Sequence, residues 1–203
     1  GDPVNRDLGV EPFLGGEVRD TVYDQVQLPA VVQGYRIPAI GTEDYYAVDM
    51  LASLLSEGES SRLNRKVVDS LEMALFAGTF PLSLEDPGVA LVYSIATAGT
   101  DVAELEATIN AEVAELSESL ISEREMEKLR NQVENNFVST RGSLRGIASQ
   151  LAAYEALQGD ANLINTELDR YLSVTREDIR RVAKKYFVPE NRVTLHWLPE
   201  PSR

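Results

Sequence analysis

Apolar residues recur along this chain in two rhythms, and the switch between them predicts the elements. Thr21–Leu28 alternates imperfectly and Ala30–Pro38 is β-branched and closed by a proline, so both read as strands. Glu43–Ser56 places Tyr46, Val48, Met50, Leu51, Leu54 and Leu55 at helical steps over much of its circumference, which predicts a well-buried helix. Gly58 offers a stop, and Ser60 or Ser61 a cap for a second helix through about Ser70. Leu75–Pro81 reads as a strand and Asp86-Pro87-Gly88 as a turn. Val89–Thr97 is a continuous apolar run, as expected of a strand central in its sheet or covered on both faces.

The C-terminal half is helical. Val102, Leu105, Ile109, Val113, Leu116 and Leu120 form one stripe. Ser122 and Glu125 form a capping box ahead of Met126, Leu129, Val133 and Phe137. Gly142 and Gly146 interrupt the period, Ile147–Leu157 resumes it, and Gly159-Asp160 ends it. Thr175 can cap a last helix with Ile179, Val182 and Tyr186 inward, Pro189 ends that helix, and Arg192–Leu198 alternates as a closing strand. The expected order is β-β-α-α-β-β-α-α-α-α-β. Segregated runs of this kind predict an α+β fold with helices over one face of a mixed or antiparallel sheet.

Composition narrows function more than fold. A net charge of −14 argues against a nucleic-acid partner, which needs Lys and Arg to release counterions, and against an anionic membrane surface. No apolar run is long enough to span a bilayer. Zero cysteines exclude disulfides, thiolate metal sites and a thiol nucleophile. They leave the compartment open between cytoplasm and periplasm. Residues 1–16 hold Pro3, Pro12, Gly15 and Gly16 without a period and read as a lead-in, 17–199 as one domain, and 200–203 as a tail. The chain opens Gly-Asp-Pro without an initiator Met and reads as a piece of a longer protein.

The block from Asp44 to Leu75 resembles the non-catalytic half-domain of the pitrilysin/insulinase family of zinc peptidases. There a helix runs through a short Gly/Ser segment into Ser-Ser-Arg-Leu, here Ser60, Ser61, Arg62 and Leu63, and then into another helix. Val174–Ile179 running to Tyr186, followed by Pro189-Glu190-Asn191-Arg192 and a last strand, is similar to the family's C-terminal end. The resemblance covers about Glu17 to Pro199.

The resemblance implies a zinc-free half that faces a zinc-bearing half-domain across a chamber holding an unfolded peptide. The zinc would sit in that missing half on a His-x-x-Glu-His motif. This chain has one histidine, His196, so it cannot supply the motif. Active relatives also carry an arginine and a tyrosine seven residues apart after Ser-Ser-Arg-Leu. Gap-free counting puts those positions at Val68 and Leu75, neither of which can donate a hydrogen bond. Val68, Leu75 and Phe76 are therefore candidates for an apolar chamber wall, and a non-enzymatic scaffold or assembly subunit of the same family is the alternative. A self-associating peptide-binding module is a third reading.

Other residues weigh less. His196 is on the opposite strand face from Val193, Leu195 and Trp197, without a visible catalytic partner, and reads as structural or surface. Glu57, Glu59, Glu85 and Asp86 read as exposed loop acids. Arg176–Lys185 intersperses both charges and reads as a solvated helix face.

Overall fold

The computed structural model describes residues 14–201, so most of the expected lead-in and the end of the tail lie outside the described residues. Five strands, β1 Val18–Asp24, β2 Ala30–Ile37, β3 Ala74–Leu82, β4 Gly88–Ala96 and β5 Arg192–Pro199, form one sheet in the order β1-β5-β2-β4-β3. The β1–β5 pair is parallel and the others are antiparallel, so the sheet is mixed. Six α-helices accompany it: α1 Glu43–Ser56, α2 Val102–Glu118, α3 Glu123–Thr140, α4 Leu144–Gln158, α5 Leu163–Ser173 and α6 Arg176–Tyr186. The fold is α+β, as expected.

The core lies between the sheet and the helices. β2 turns Val31, Gln33, Tyr35 and Ile37 toward them, and β4 turns Ala90, Val92, Ser94 and Ala96 the same way. α1 buries eight of its fourteen residues because it packs on β3 beneath α3, α5 and α6. Its first turn is tied to α6 by Asp44, which accepts hydrogen bonds from Arg181, from Lys185 Nζ (2.7 Å) and from Tyr186 Oη (2.7 Å). Burial pushes the Asp44 carboxyl up, but those three donors outweigh it and hold it at about 2.

Several expectations are corrected. β1 lies earlier than Thr21–Leu28, because Asp24 accepts from the N–H of Gln25 (2.7 Å, carboxylate) and of Val26 (2.8 Å, carbonyl), a local turn that ends the strand. β4 is flanked by β2 and β3, yet only one of its faces is covered: Val89 and Ile95 are exposed on the other. Leu120 falls beyond the end of α2 and is exposed. Gly146 does not break a helix but sits in the first turn of α4, where a Cβ would come within 2.0 Å of the Thr140 carbonyl oxygen. The sequence order also omits α5, whose inward face carries Leu163, Glu167 and Tyr171. The capping boxes at Ser122/Glu125 and Thr175/Asp178 are both present, the first of them as expected.

The second sheet face has no helix on it among the described residues. Register places Val22, Trp197, Ala30, Ile95 and Phe76 in one row across all five strands. Val18, Val193, Gly34, Leu91 and Phe80 form a parallel row, with Asp20, Leu195, Val32, Tyr93 and Gly78 between them.

Candidate functional site

The segment joining α1 to β3 carries the motif and two of the three candidate wall residues. Gly58, at φ +81°, turns the chain after α1, and Ser61 N–H closes the turn on the Gly58 carbonyl at 3.0 Å. Neither serine caps the helical segment after the motif. Ser60 is exposed, and the Ser61 hydroxyl is buried without a partner among the described residues. Arg62 does the anchoring: its Nε and Nη2 donate to the two oxygens of Glu125 at 2.8 and 3.3 Å, and Nη1 lies 3.7 Å from Glu115. Glu125 also closes the cap of α3 on Ser122, so one carboxylate joins two elements. Burial raises its carboxyl, but Arg62 and Ser122 outweigh that and hold it below its usual range. Leu63 is fully buried beside the core helices.

The helix expected through Ser70 is wound as a π-helical turn over Asn64–Ser70. Its wide loop places Val67 in the core and leaves Val68 partly buried against it. Glu72 then takes a left-handed conformation, φ +51°, and β3 begins. Ala74 pairs with Ala96 and Phe76 with Ile95, so Leu75 is the extra residue of a β-bulge. The bulge turns its side chain out to 61% exposure, with Phe76 at 46% beside it. Phe76 packs against Tyr93 (ring centroids 5.6 Å apart) over Gly78. A groove of about 390 Å³ follows the free edge of β3, lined by Ser53 and Ser56 of α1 and by Phe76, Gly78, Thr79 and Tyr93. Of the three wall candidates, two reach the surface together and Val68 does not join them.

A second polar constellation lies under α2. Arg19 donates to both oxygens of Glu106 at 2.7 and 2.6 Å, and His196 Nε2 lies 2.6 Å from the same carboxylate. Asn110 receives Gln33 Nε2 and Arg192 Nη1, each at 2.7 Å, while Glu17 receives Arg192 Nε (2.8 Å) and Thr194 Oγ1 (2.9 Å). The Arg19 guanidinium holds Glu106 at about 2 despite its burial, with His196 adding to the effect. The cluster contains no nucleophile beside the His–Glu pair, and Glu106 already accepts from three side chains. What it does is pin the edge strand β1, which is exposed throughout, to β5 and α2. His196 is structural. The sequence signal for this cluster is the alternation Arg192, Thr194, His196, in which the polar set faces the helices and the apolar set faces out.

No group of three or more His, Cys, Asp or Glu able to hold a metal occurs among the described residues. With its single histidine committed to Glu106 and no cysteine, the chain does not fit a zinc ion.

An open mixed sheet with its helices on one side is the architecture of a zinc-peptidase half-domain. The chain belongs to the peptidase M16 family: the pattern of the peptidase M16 inactive domain matches residues 1–133. It is 30% identical to the zinc protease PqqE of Helicobacter pylori over 93% of this chain and 43% of that protein. A solved protease from H. pylori superposes with a TM-score of 0.87 at 28% identity, covering 94% of this chain and 46% of the other. An inactive peptidase domain from Bordetella parapertussis superposes at 0.78 with 26% identity, covering 90% and 97%. The chain thus spans less than half the length of the curated relatives it matches.

Proposed function

We propose that this chain is the closing half of a zinc metalloendopeptidase, lying opposite a zinc-bearing half-domain on the same polypeptide or a separate subunit. Leu75 and Phe76 form its wall toward an extended peptide. The observation that supports this best is the bulge at Leu75, which leaves two neighbouring apolar side chains exposed at the head of an unpaired strand edge. Bulges re-aim side chains beside functional sites, and an aromatic group lining the groove with an exposed aliphatic neighbour in sequence suits contact with substrate side chains rather than charge stabilisation. Val68, partly buried against the core, is not part of this wall. The chain supplies shape and closure, and the partner half supplies the metal and the reacting groups.

The reading is tested with a photo-crosslinking amino acid at position 75, in the complex with the zinc-bearing half and with the metal chelated so that the peptide stays intact. Crosslinking to a bound peptide is expected at 75 and not at Leu144, which is 87% exposed on α4. Equal labelling at both positions, or none at 75 with peptide bound, would overturn it. The absence of donors at Val68 and Leu75 also suits a scaffold subunit, which would bind the partner half and no peptide.

A further inference from the structure

We infer that the cavity between α1 and α3 is a binding site for a primary alkylammonium group, the end of a lysine side chain or a free alkylamine. The cavity measures about 90 Å³ and is lined by Asp49 of α1, by Glu57 just after that helix and by Gln132 of α3. Asp49 is partly buried, and its one hydrogen-bond partner among the described residues is the Tyr171 hydroxyl, which donates to it at 3.0 Å. Four other carboxylates that packing removes from water, Glu17, Asp44, Glu106 and Glu125, each meet a guanidinium. Asp49 meets no cation among the described residues, and the charges acting on it, Glu57 and Glu167, have its own sign. Burial raises its carboxyl above the usual range, the Tyr171 hydroxyl opposing the rise and the two acids adding to it.

Gln132 brings a second unanswered group to the same cavity. Its Nε2 donates to the Glu57 carbonyl at 3.4 Å, which fixes the amide's orientation, and its Oε1 is buried without a hydrogen-bond partner. A carboxylate without a counter-charge and a buried acceptor without a donor are both costly, and a cation that donates several hydrogen bonds relieves both. The remaining lining selects the kind of cation. The Phe137 and Tyr171 rings, with centroids 6.0 Å apart, share the cavity with Met50 and Val133. Aromatic faces and apolar side chains suit an ammonium with methylenes behind it, whereas a hard metal ion needs about six oxygens around it. The volume is that of about three waters, which an ammonium and its last methylenes fill. Lys128, one turn before Gln132, donates to the Glu57 carbonyl at 3.2 Å and does not line the cavity. Ser53 and Glu57 line both this cavity and the groove along the β3 edge, so a lysine of a peptide in that groove is one source of the group. That source rests on the proposed function; the site itself does not.

The chain has three methionines, and Met50 alone of them lines the cavity, so methyl NMR of the 203-residue chain reads the site directly with Met73 and Met126 as references. n-Butylammonium chloride is expected to shift the Met50 methyl resonance and leave the other two in place. n-Butanol and potassium chloride at the same concentration are expected to leave all three in place. Asp49→Asn keeps an acceptor for the Tyr171 hydroxyl and removes the charge, and is expected to weaken butylammonium binding at least about tenfold. Gln132→Met, which removes the orphan acceptor at similar length, is a second variant that is expected to weaken it and does not touch the carboxylate. An alanine-rich peptide with a central lysine, set against the same peptide with norleucine, separates the sources. A Met50 shift with the lysine peptide alone of the two assigns the group to a polypeptide, and a shift with butylammonium but neither peptide assigns it to a free amine. No shift with butylammonium or the lysine peptide, an equal shift with butanol or potassium, or unchanged affinity in both folded variants would overturn the site and leave the proposed function standing.

Discussion

Arg62 and Glu125, 63 positions apart, are joined by two side-chain hydrogen bonds, and Glu125 also caps α3. Arg62 thus clamps the segment after α1 to the start of α3. Arg62→Ala leaves a partly buried carboxylate without its counter-charge and is expected to cost about 1–2 kcal/mol, below the fully buried case because both side chains retain some exposure. Arg62→Lys should recover less than half, since an ammonium cannot make the paired contact. Urea denaturation midpoints of the three chains check this.

Glu106 and Asp44 both titrate far below their ordinary values of 4.5 and 3.8 when folded, each at about 2. The unfolded chain therefore takes up protons first as pH falls. Their contribution is complete above about pH 4.5 and is lost progressively toward pH 2. Glu106→Gln, which removes the charge opposite Arg19 and replaces one of the two acceptor oxygens with a donor, is expected to lower stability at neutral pH by about 2 kcal/mol and to flatten the acid slope. Thermal melts from acid to neutral pH for both chains give the comparison. An unaltered slope would show that the carboxyl is not held down by Arg19.

Glu72 is the only described non-glycine residue at positive φ. Glycine reaches that conformation without the Cβ penalty, so Glu72→Gly should raise stability by up to about 1 kcal/mol despite its extra freedom in the unfolded chain. A shift of the denaturation midpoint in the other direction would contradict this.

Gly78 lies under the Phe76 and Tyr93 rings, where a Cβ would meet carbons at 2.9 and 3.0 Å. Gly78→Ala is expected to cost about 1–2 kcal/mol and to displace Phe76 from the groove mouth. Aromatic ring shifts in NMR spectra, together with a denaturation curve, would detect it.

Most elements were legible in the sequence because their periods are strong: α1, α2 and α6 show helical stripes, and β2 ends at a proline. α5 was not, because one of its three buried positions is Glu167, held by the Tyr154 hydroxyl, and a charged residue in the stripe hides the period. β5 misleads in the opposite way. Its apolar alternates face out and its Arg192, Thr194 and His196 face in, a reversal that requires partners from α2 and β1 far away in sequence. The Ser60 and Ser61 caps failed because the chain winds a π-turn there, which local residue preferences do not signal. For the candidate site, the motif count located Leu75, but the bulge that exposes it belongs to the pairing of β3 with β4.

The most direct measurement is hydrolysis of a quenched fluorescent peptide library by the chain alone, by the zinc-bearing half alone, and by the two together, with and without chelator. Cleavage by the pair alone, abolished by chelator, is expected of a closing half. Cleavage by this chain alone, or a stable pair that cleaves nothing, would contradict it.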